Sequence, residues 1–160
     1  MLSALGAKYG MHMRRWDFTS AYLQGSLLDG EVVYCPAPPG KETQAGLGSD
    51  GLPRICKVKK PIYGMAQAGR RWQRSIFPWF IEQGFTQCHS DKCVFHKKAT
   101  VNTPKGPREE AILIGVYVDD LFVLSTHADE HSLYHTFTTD LQSSWGCCLQ
   151  PSGYAHMHIS

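Results

Sequence analysis

Acidic side chains at two distant points of the chain are the residues best suited to chemistry. The run AILIGVYVDDLFVLST places Asp119 and Asp120 between two apolar segments rich in strand-forming residues. Adjacent carboxylates repel each other, and burying them without a partner is unfavourable. A divalent cation resolves both problems, and Mg²⁺ prefers carboxylate oxygens together with substrate phosphates. The alternative for this run is an exposed polar turn between two strands.

A third acid, Asp17, lies where a predicted strand over residues 11–18 gives way to the run TSAYLQG. If that strand lies beside the Asp119-Asp120 hairpin, three carboxylates converge. Two metal ions about 4 Å apart need such a cluster, and they serve phosphoryl and nucleotidyl transfer. The alternative is that Asp17 is an acid near a helix N-terminus, where the helix dipole favours it.

The charges of the chain are distributed unevenly although the formal net charge is only +2. Residues 51–81 carry seven Lys and Arg side chains and no acid, whereas residues 109–160 carry seven acids and no Lys or Arg. The aromatic residues Tyr63 and Trp72 lie among the basic ones, as in many nucleic-acid grooves. This pattern predicts a basic surface for a polyanion and a separate acidic patch. A solvated surface stretch is the simpler alternative.

Six cysteines are present, and without a secretion signal we expect them to be reduced thiols. Cys88, His89, Cys93 and His96 lie close together in sequence, which suggests a zinc-binding interaction module as a further alternative. Their spacing matches no common zinc motif, so idle thiols are the preferred interpretation.

The elements that must position these residues alternate irregularly between strands and helices. We predict strands over residues 11–18, within 31–40, over 54–60, as a short pair within 84–98, and as an apolar hairpin over 111–126. A helical turn is expected over 19–25, and longer helices near 65–83 and 128–142. Residues 41–53 and 99–110 are expected to be loops, and the last stretch has no clear pattern. This arrangement favours an α+β fold with an antiparallel sheet.

Four motifs occur in order along most of the chain: DFTSAYLQGSLLDGEVVYCPAPPG, CKVKKPIYGMAQAGRRW, GFTQCHSDKCVFHKK and YVDD. Together they resemble the reverse transcriptase domain of copia-type LTR retrotransposons. A single YVDD would be weak evidence, whereas four motifs in order at near-family spacing are specific.

The resemblance implies roles for individual residues. Asp17, Asp119 and Asp120 would be catalytic and would bind two Mg²⁺ ions, for which Mn²⁺ could substitute. Tyr22 and Gln67 would border the incoming deoxynucleotide, although Tyr22 is equally natural as a core aromatic. The residues expected to contact nucleic acid are Lys57, Lys59, Lys60, Arg70, Arg71 and Arg74, with a solvated helix face as the alternative for the arginines.

The resemblance also implies an architecture and partners. The fold would be a polymerase palm-like antiparallel sheet backed by helices, with incomplete fingers and no thumb. Residues 1–126 would form this core, and residues 127–160 a divergent C-terminal helix and tail. Partners would be an RNA or DNA template with its primer, deoxynucleoside triphosphates and the remainder of the Pol polyprotein, at an intracellular location. We expect no membrane partner, because no apolar run approaches the roughly 20 residues that a membrane span needs.

The activity implied is RNA-directed DNA polymerisation, in which deoxynucleotides are added to a primer 3′-hydroxyl. Gly69 stands where the family usually has Pro, and the region after YVDD lacks the lysine to which protonation of pyrophosphate is often assigned. His131 or His135 could substitute for it as a general acid. The absence of lysine after position 108 and of a recognisable thumb supports a second hypothesis. The second hypothesis is a degenerate, inactive fragment with at most weak nucleic-acid binding.

Overall fold

The computed structural model describes residues 2–41, 46–52 and 54–145, and the backbone of residues 149–151. The helices are α1 (Leu2–Lys8), α2 (Ala21–Gln24), α3 (Ala68–Glu82) and α4 (Leu133–Trp145). The strands are β1 (His12–Phe18), β2 (Val33–Cys35), β3 (Cys56–Val58), β4 (Thr86–Gln87), β5 (Val94–Thr103), β6 (Gly106–Tyr117), β7 (Asp120–Ser125) and β8 (Leu149–Pro151). No helix in the described ranges is long and apolar enough to cross a membrane.

Six of these strands form one sheet in the order β4-β5-β6-β7-β1-β8, and each neighbouring pair is antiparallel. The short strands β2 and β3 form a separate antiparallel pair. The predicted α+β fold with an antiparallel sheet backed by helices is therefore confirmed. The predicted hairpin over residues 111–126 is confirmed as β6 and β7 at the centre of the sheet.

The main core lies between one face of the sheet and the helices α3 and α4. Trp72, Ile76 and Phe80 of α3 are fully buried, as is Leu141 of α4. The strands contribute alternate residues to this core, namely Trp16, Phe18, Phe95, Ile112, Ile114, Val116, Leu121 and Val123. This alternation is the period-2 pattern of a strand with one buried face.

The opposite face of the sheet is covered in part by α1, a helix that the sequence analysis did not predict. A Cβ atom on Gly6 would lie 2.9 Å from Leu124 Cδ2 and 3.0 Å from Met13 Sδ, so α1 packs closely on β1 and β7. Asp17 lies between the buried Trp16 and Phe18, and strand alternation therefore directs it towards this face.

The prediction of a loop over residues 99–110 was wrong, because β5 and β6 continue as a hairpin to a turn at residues 104–105. The two prolines and the glycine suggested a loop, but Pro104 lies in the turn itself. Pro107 is tolerated within β6 because β7 pairs only with residues 112–117 of that strand. The missing N–H of Pro107 therefore falls on an edge that no strand of the described sheet contacts.

Other boundaries differ from the predictions by a few residues. Helix α3 begins at Ala68 rather than at residue 65, and it continues through the exposed Pro78. Helix α4 begins at Leu133, and strand β8 lies in the final stretch, which showed no pattern. The division after residue 126 stays a prediction, although Phe137 and Leu141 of α4 belong to the same core as the strands before it.

A buried carboxylate fixes the start of α4. The Glu110 side chain is 1% exposed, forms an ion pair with Arg108, and accepts a hydrogen bond from the Leu133 N–H at 2.7 Å. Arg108 also contacts the Asp129 carboxylate at 2.8 Å. An N-terminal helix N–H needs such an acceptor, because no helical carbonyl precedes it.

We predict that Glu110→Ala lowers the free energy of unfolding by about 2 kcal/mol, because the buried Leu133 N–H loses its acceptor and Arg108 loses one of its two carboxylate partners. Urea denaturation followed by circular dichroism measures this. Glu109→Ala, which changes the exposed neighbour, is the matched control and should shift stability by less than about 0.5 kcal/mol. Equal stability of the two variants would contradict this account of the helix start.

Candidate active site

The pairing of β1 with β7 brings Asp17 and the YVDD segment together. In the antiparallel register, Asp17 lies directly opposite Asp120, and Tyr117 lies opposite Asp120 on its other side. Directly opposed residues of such a pair have Cβ atoms only about 5 Å apart. The sheet therefore brings Asp17 close to the hairpin, as expected.

The turn of this hairpin is formed by Val118 and Asp119, whereas Asp120 is already the first residue of β7. The sequence pattern, in contrast, predicts both aspartates in the turn. Val118 has a φ of 54°, which is unfavourable for a β-branched residue and costs on the order of 1–3 kcal/mol. Glycine is the usual residue at this position of a two-residue hairpin.

Two hydrogen bonds hold the strained turn in place. The Trp72 indole N–H donates to the Val118 carbonyl at 2.6 Å. The Phe18 N–H donates to the Asp119 carbonyl at 2.8 Å, which joins the turn to the end of β1. Helix α3, β1 and the hairpin therefore fix the backbone on which two of the aspartates are carried.

The three carboxylates influence one another electrostatically. The pKa of Asp17 is raised above its usual value, first by partial burial and then by the negative charges of Asp119 and Asp120. Arg15 acts in the opposite direction. Like charges this close disfavour ionisation, which is the behaviour of a cluster that gains from a cation.

Arg15 was not singled out from the sequence, yet its guanidinium neutralises one of the three aspartates. Arg15 Nε donates to Asp120 Oδ1 at 2.9 Å, and its NH2 nitrogen donates to Asp120 Oδ2 at 2.7 Å. The spacing i, i+2 from Asp17 places both side chains on one face of β1. That spacing is the signal that could have identified Arg15.

The fit of these residues to a divalent cation rests on their chemistry. Three carboxylates are the hard oxygen donors that Mg²⁺ prefers, and the repulsion within the cluster favours a positive partner. In the described ranges, however, no group of three or more His, Cys, Asp or Glu side chains is arranged to hold a metal ion. The aspartates are thus chemically suited to Mg²⁺, but Arg15 occupies both oxygens of Asp120. The same finding gives no support to zinc at Cys88 and Cys93.

Tyr63 connects Asp119 with Tyr22. The Tyr63 hydroxyl donates to Asp119 Oδ2 at 3.4 Å, and its ring lies 4.4 Å from the ring of Tyr22 between centroids. Partial burial, and then the charge of Asp119, raise the pKa of Tyr63. The sequence analysis noted Tyr63 only as an aromatic among basic residues. The ring of Tyr22 packs against the core. It also contacts Tyr63, which in turn binds Asp119.

Gln67 and Arg71 are brought together by Glu31, which the sequence analysis did not select. Gln67 Nε2 donates to Glu31 Oε1 at 3.1 Å, and Arg71 Nε donates to Glu31 Oε2 at 2.9 Å. The hydrogen bond from Arg71, followed by one from the Leu28 N–H, lowers the pKa of Glu31 to about 2. The carboxylate therefore stays ionised at neutral pH and holds both side chains.

The other basic residues are exposed at two places. Lys57, Lys59 and Lys60 lie on β3 and just after it, and Arg70 and Arg74 lie one turn apart on α3. Arg71, in contrast, has a side chain only 11% exposed and paired with Glu31. Contact of these six basic residues with nucleic acid stays a prediction.

Comparisons with known proteins are consistent with this arrangement. The family profile described as "Reverse transcriptase (RNA-dependent DNA polymerase)" matches residues 1–145. The chain is 28% identical over 121 residues to the retrovirus-related Pol polyprotein from transposon TNT 1-94 of Nicotiana tabacum, an alignment that covers 76% of this chain and 8% of the relative.

Two further relatives are similar over the same region. The Pol polyprotein from transposon RE2 of Arabidopsis thaliana is 32% identical over 124 residues, covering 78% of this chain and 7% of that protein. The transposon Ty1-BL Gag-Pol polyprotein of Saccharomyces cerevisiae is 26% identical over 121 residues, covering 75% and 6%. No solved structure matches the chain. With a family profile that spans strands β1 to β7, both long helices and the aspartate turn, the chain belongs to the reverse transcriptase family of copia-type retrotransposon Pol polyproteins.

Proposed function

We propose that this chain carries the catalytic palm of an RNA-directed DNA polymerase, which adds deoxynucleotides to a primer 3′-hydroxyl. The observation that supports this most directly is the register of Asp17 against Asp120, beside the turn that carries Asp119. Two carboxylates from neighbouring strands and one from the turn then lie close together, on the face of the sheet away from α3 and α4. Nucleotidyl transfer depends mainly on positioning and electrostatic stabilisation, which such a face provides.

Asp17, Asp119 and Asp120 would hold two Mg²⁺ ions, which supply activation of the attacking hydroxyl and stabilisation of the leaving pyrophosphate. The protein contributes rigidity to this task. Trp72 and Phe18 fix the backbone of the turn through their hydrogen bonds. The strained φ of Val118 is retained because these contacts determine the turn from two sides.

The nucleotide would lie beside Tyr22 and Tyr63. A ring at this place packs where a ribose 2′-hydroxyl would project, and that hydroxyl is the group that distinguishes the two sugars. Gln67 would border the same nucleotide. Because Glu31 binds both Gln67 and Arg71, it orients them from the side of the loop before β2. In this proposal Arg71 acts through Glu31 and not as a free phosphate ligand.

The template and primer would follow the exposed basic residues. Lys57, Lys59 and Lys60 supply diffuse attraction to the phosphate backbone, which is sequence-independent and weakens with salt. Arg70 and Arg74 offer guanidinium groups on one face of α3, suited to phosphate oxygens. The remainder of a Pol polyprotein as a partner belongs to the same proposal.

One observation favours the second candidate, an inactive fragment. Arg15 binds both oxygens of Asp120, so a cation must compete with an ion pair that the chain makes itself. Separately from that observation, the chain spans less than a tenth of the length of the curated relatives named above, so the activity of a whole Pol polyprotein is assigned to it only within this proposal. The three experiments below separate the two candidates.

Primer extension tests the activity itself. With Mg²⁺, an RNA template and a DNA primer, we expect incorporation by the purified chain and a loss of about 10²-fold or more in Asp119→Asn, because a charge-stabilising group is removed from the reacting centre. Asp140→Asn, on α4 at the far side of the core, is the matched control. No incorporation by the unsubstituted chain would favour the inactive fragment.

We expect Asp17→Asn to stabilise the metal-free chain at pH 7 by about 0.5–1 kcal/mol, as is common when a strained functional group is removed. Because the folded pKa of Asp17 is raised, its ionised form lowers stability above that pKa. The gain must therefore vanish at acidic pH, where Asp17 is protonated in both states.

Thermal unfolding between pH 3 and pH 8, with EDTA or with Mg²⁺, measures the difference in stability between the unsubstituted chain and Asp17→Asn. Addition of Mg²⁺ should stabilise the unsubstituted chain more than Asp17→Asn, because a ligand stabilises the state that binds it. Equal stabilisation of both proteins by Mg²⁺ would remove Asp17 from the proposed metal site.

Removal of the competing guanidinium is the third test. We expect Arg15→Ala to bind Mn²⁺ at least about fivefold more tightly, because both Asp120 oxygens become available. Arg14→Ala is the matched control, since Arg14 donates to the Met13 carbonyl instead. Mn²⁺ titration followed by electron paramagnetic resonance reports the affinity. An unchanged affinity in Arg15→Ala would show that Asp120 does not bind the ion.

A further inference from the structure

The two-stranded sheet of β2 and β3 contains a pair of cysteines in direct opposition. Cys35 is the last residue of β2 and Cys56 is the first residue of β3, and the antiparallel register pairs them. Both are free thiols and half-buried. Neither belongs to the candidate active site.

The geometry of such a pair suits a disulfide. Directly opposed residues in an antiparallel ladder have Cα atoms about 4.5–5.5 Å apart, within the roughly 4.4–6.8 Å that a disulfide tolerates. Their side chains lie on the same face of the ladder. Their Cβ atoms lie about 4.5–5.5 Å from each other. They need to approach each other by up to about 1 Å to come within the range of a disulfide. A pair of three-residue strands outside the main sheet is able to make that adjustment.

The neighbouring residues show which face this is. Val58 lies two residues after Cys56 and is buried, so the cysteines lie on the inner face of the pair. Tyr34 and Lys57 are opposed on the outer face, where Tyr34 is 57% exposed. The thiols are thus close to one another and still accessible to a small oxidant.

We propose that Cys35 and Cys56 form a reversible disulfide when the chain meets a peroxide. In the balanced reaction, one thiol loses its proton and attacks hydrogen peroxide, which gives a sulfenic acid and water. The second thiol displaces a second water from that sulfur, so two thiols and one peroxide yield one disulfide and two waters. A reduced dithiol reverses the reaction by thiol–disulfide exchange.

The expected consequence is a fixed β2–β3 pair. Two short strands alone are only marginally stable, and the bond would join positions 21 residues apart in sequence. It would keep Lys57 on a paired rather than an open strand, directly before the exposed lysines that follow β3. This inference does not depend on the proposed polymerase function.

Peptide mapping of the full chain tests the proposal. The reduced protein is treated with hydrogen peroxide, alkylated and digested with trypsin without reductant. We expect residues 16–41 linked to residues 55–57, and we expect this product to form at least tenfold faster in the folded chain than in concentrated urea. Equal rates would overturn the proposal, because the register would then contribute nothing.

Two variants keep the test specific. Cys88→Ser/Cys93→Ser removes the other described thiols and should form the same linked product. Tyr34→Cys/Cys35→Ser moves one thiol by a single residue to the outer face, and it should lose the rate advantage. If Cys56 instead links mainly to another cysteine, or if the shifted variant reacts as fast, the proposal fails.

Discussion

The antiparallel pairing of β1 with β7 is the constraint on which the candidate site depends. Trp16 and Phe18 are buried against α3 and α4, and this burial fixes which face of β1 is turned inward. A slip of one residue would place Asp17 in the core and expose both aromatic side chains. The hydrophobic core therefore determines the position of a carboxylate that is not part of it. Helices α3 and α4 occupy one face, and the acids lie on the other, which α1 covers in part.

The same packing also maintains two locally unfavourable features. Val118 has a backbone conformation suited to glycine, and partial burial together with the charges of Asp119 and Asp120 disfavours the ionised form of Asp17. Each feature persists because its surroundings are rigid, with Trp72 buried completely and bonded to the turn. Strain of this kind is concentrated where structure serves function. A fold selected only for stability would place glycine at position 118.

Guanidinium groups neutralise acids at two points of the candidate site. Arg15 is paired with Asp120, and Arg71 is paired with Glu31. The Arg15 pair is partly exposed, so its contribution to stability is small. In the proposed function, its importance is that it sets the charge that an incoming cation or phosphate would meet. The Arg71 pair is more enclosed and holds Gln67 in the same contact.

The sequence by itself determined the family, the main strands and helices, and the three aspartates as candidate residues. Apolar periodicity and four ordered motifs are local properties, so they can be recognised without a fold. Prediction from the sequence failed where local composition misleads, as at Pro104 and Pro107, which suggested a loop within a long hairpin. Proline is acceptable there only because of an unpaired edge, and an edge exists only in the assembled sheet.

The tertiary structure alone decided the contacts of the site. Asp17 is separated from Asp120 by more than 100 residues, and their register follows from the burial of other side chains. The roles of Arg15, Glu31 and Tyr63 also depend on which residue lies opposite or beside them. The pairing of Cys35 with Cys56 likewise could not be predicted from the sequence. Hydrophobic periodicity specifies which face of an element is buried, whereas packing between elements selects the neighbours on the other face.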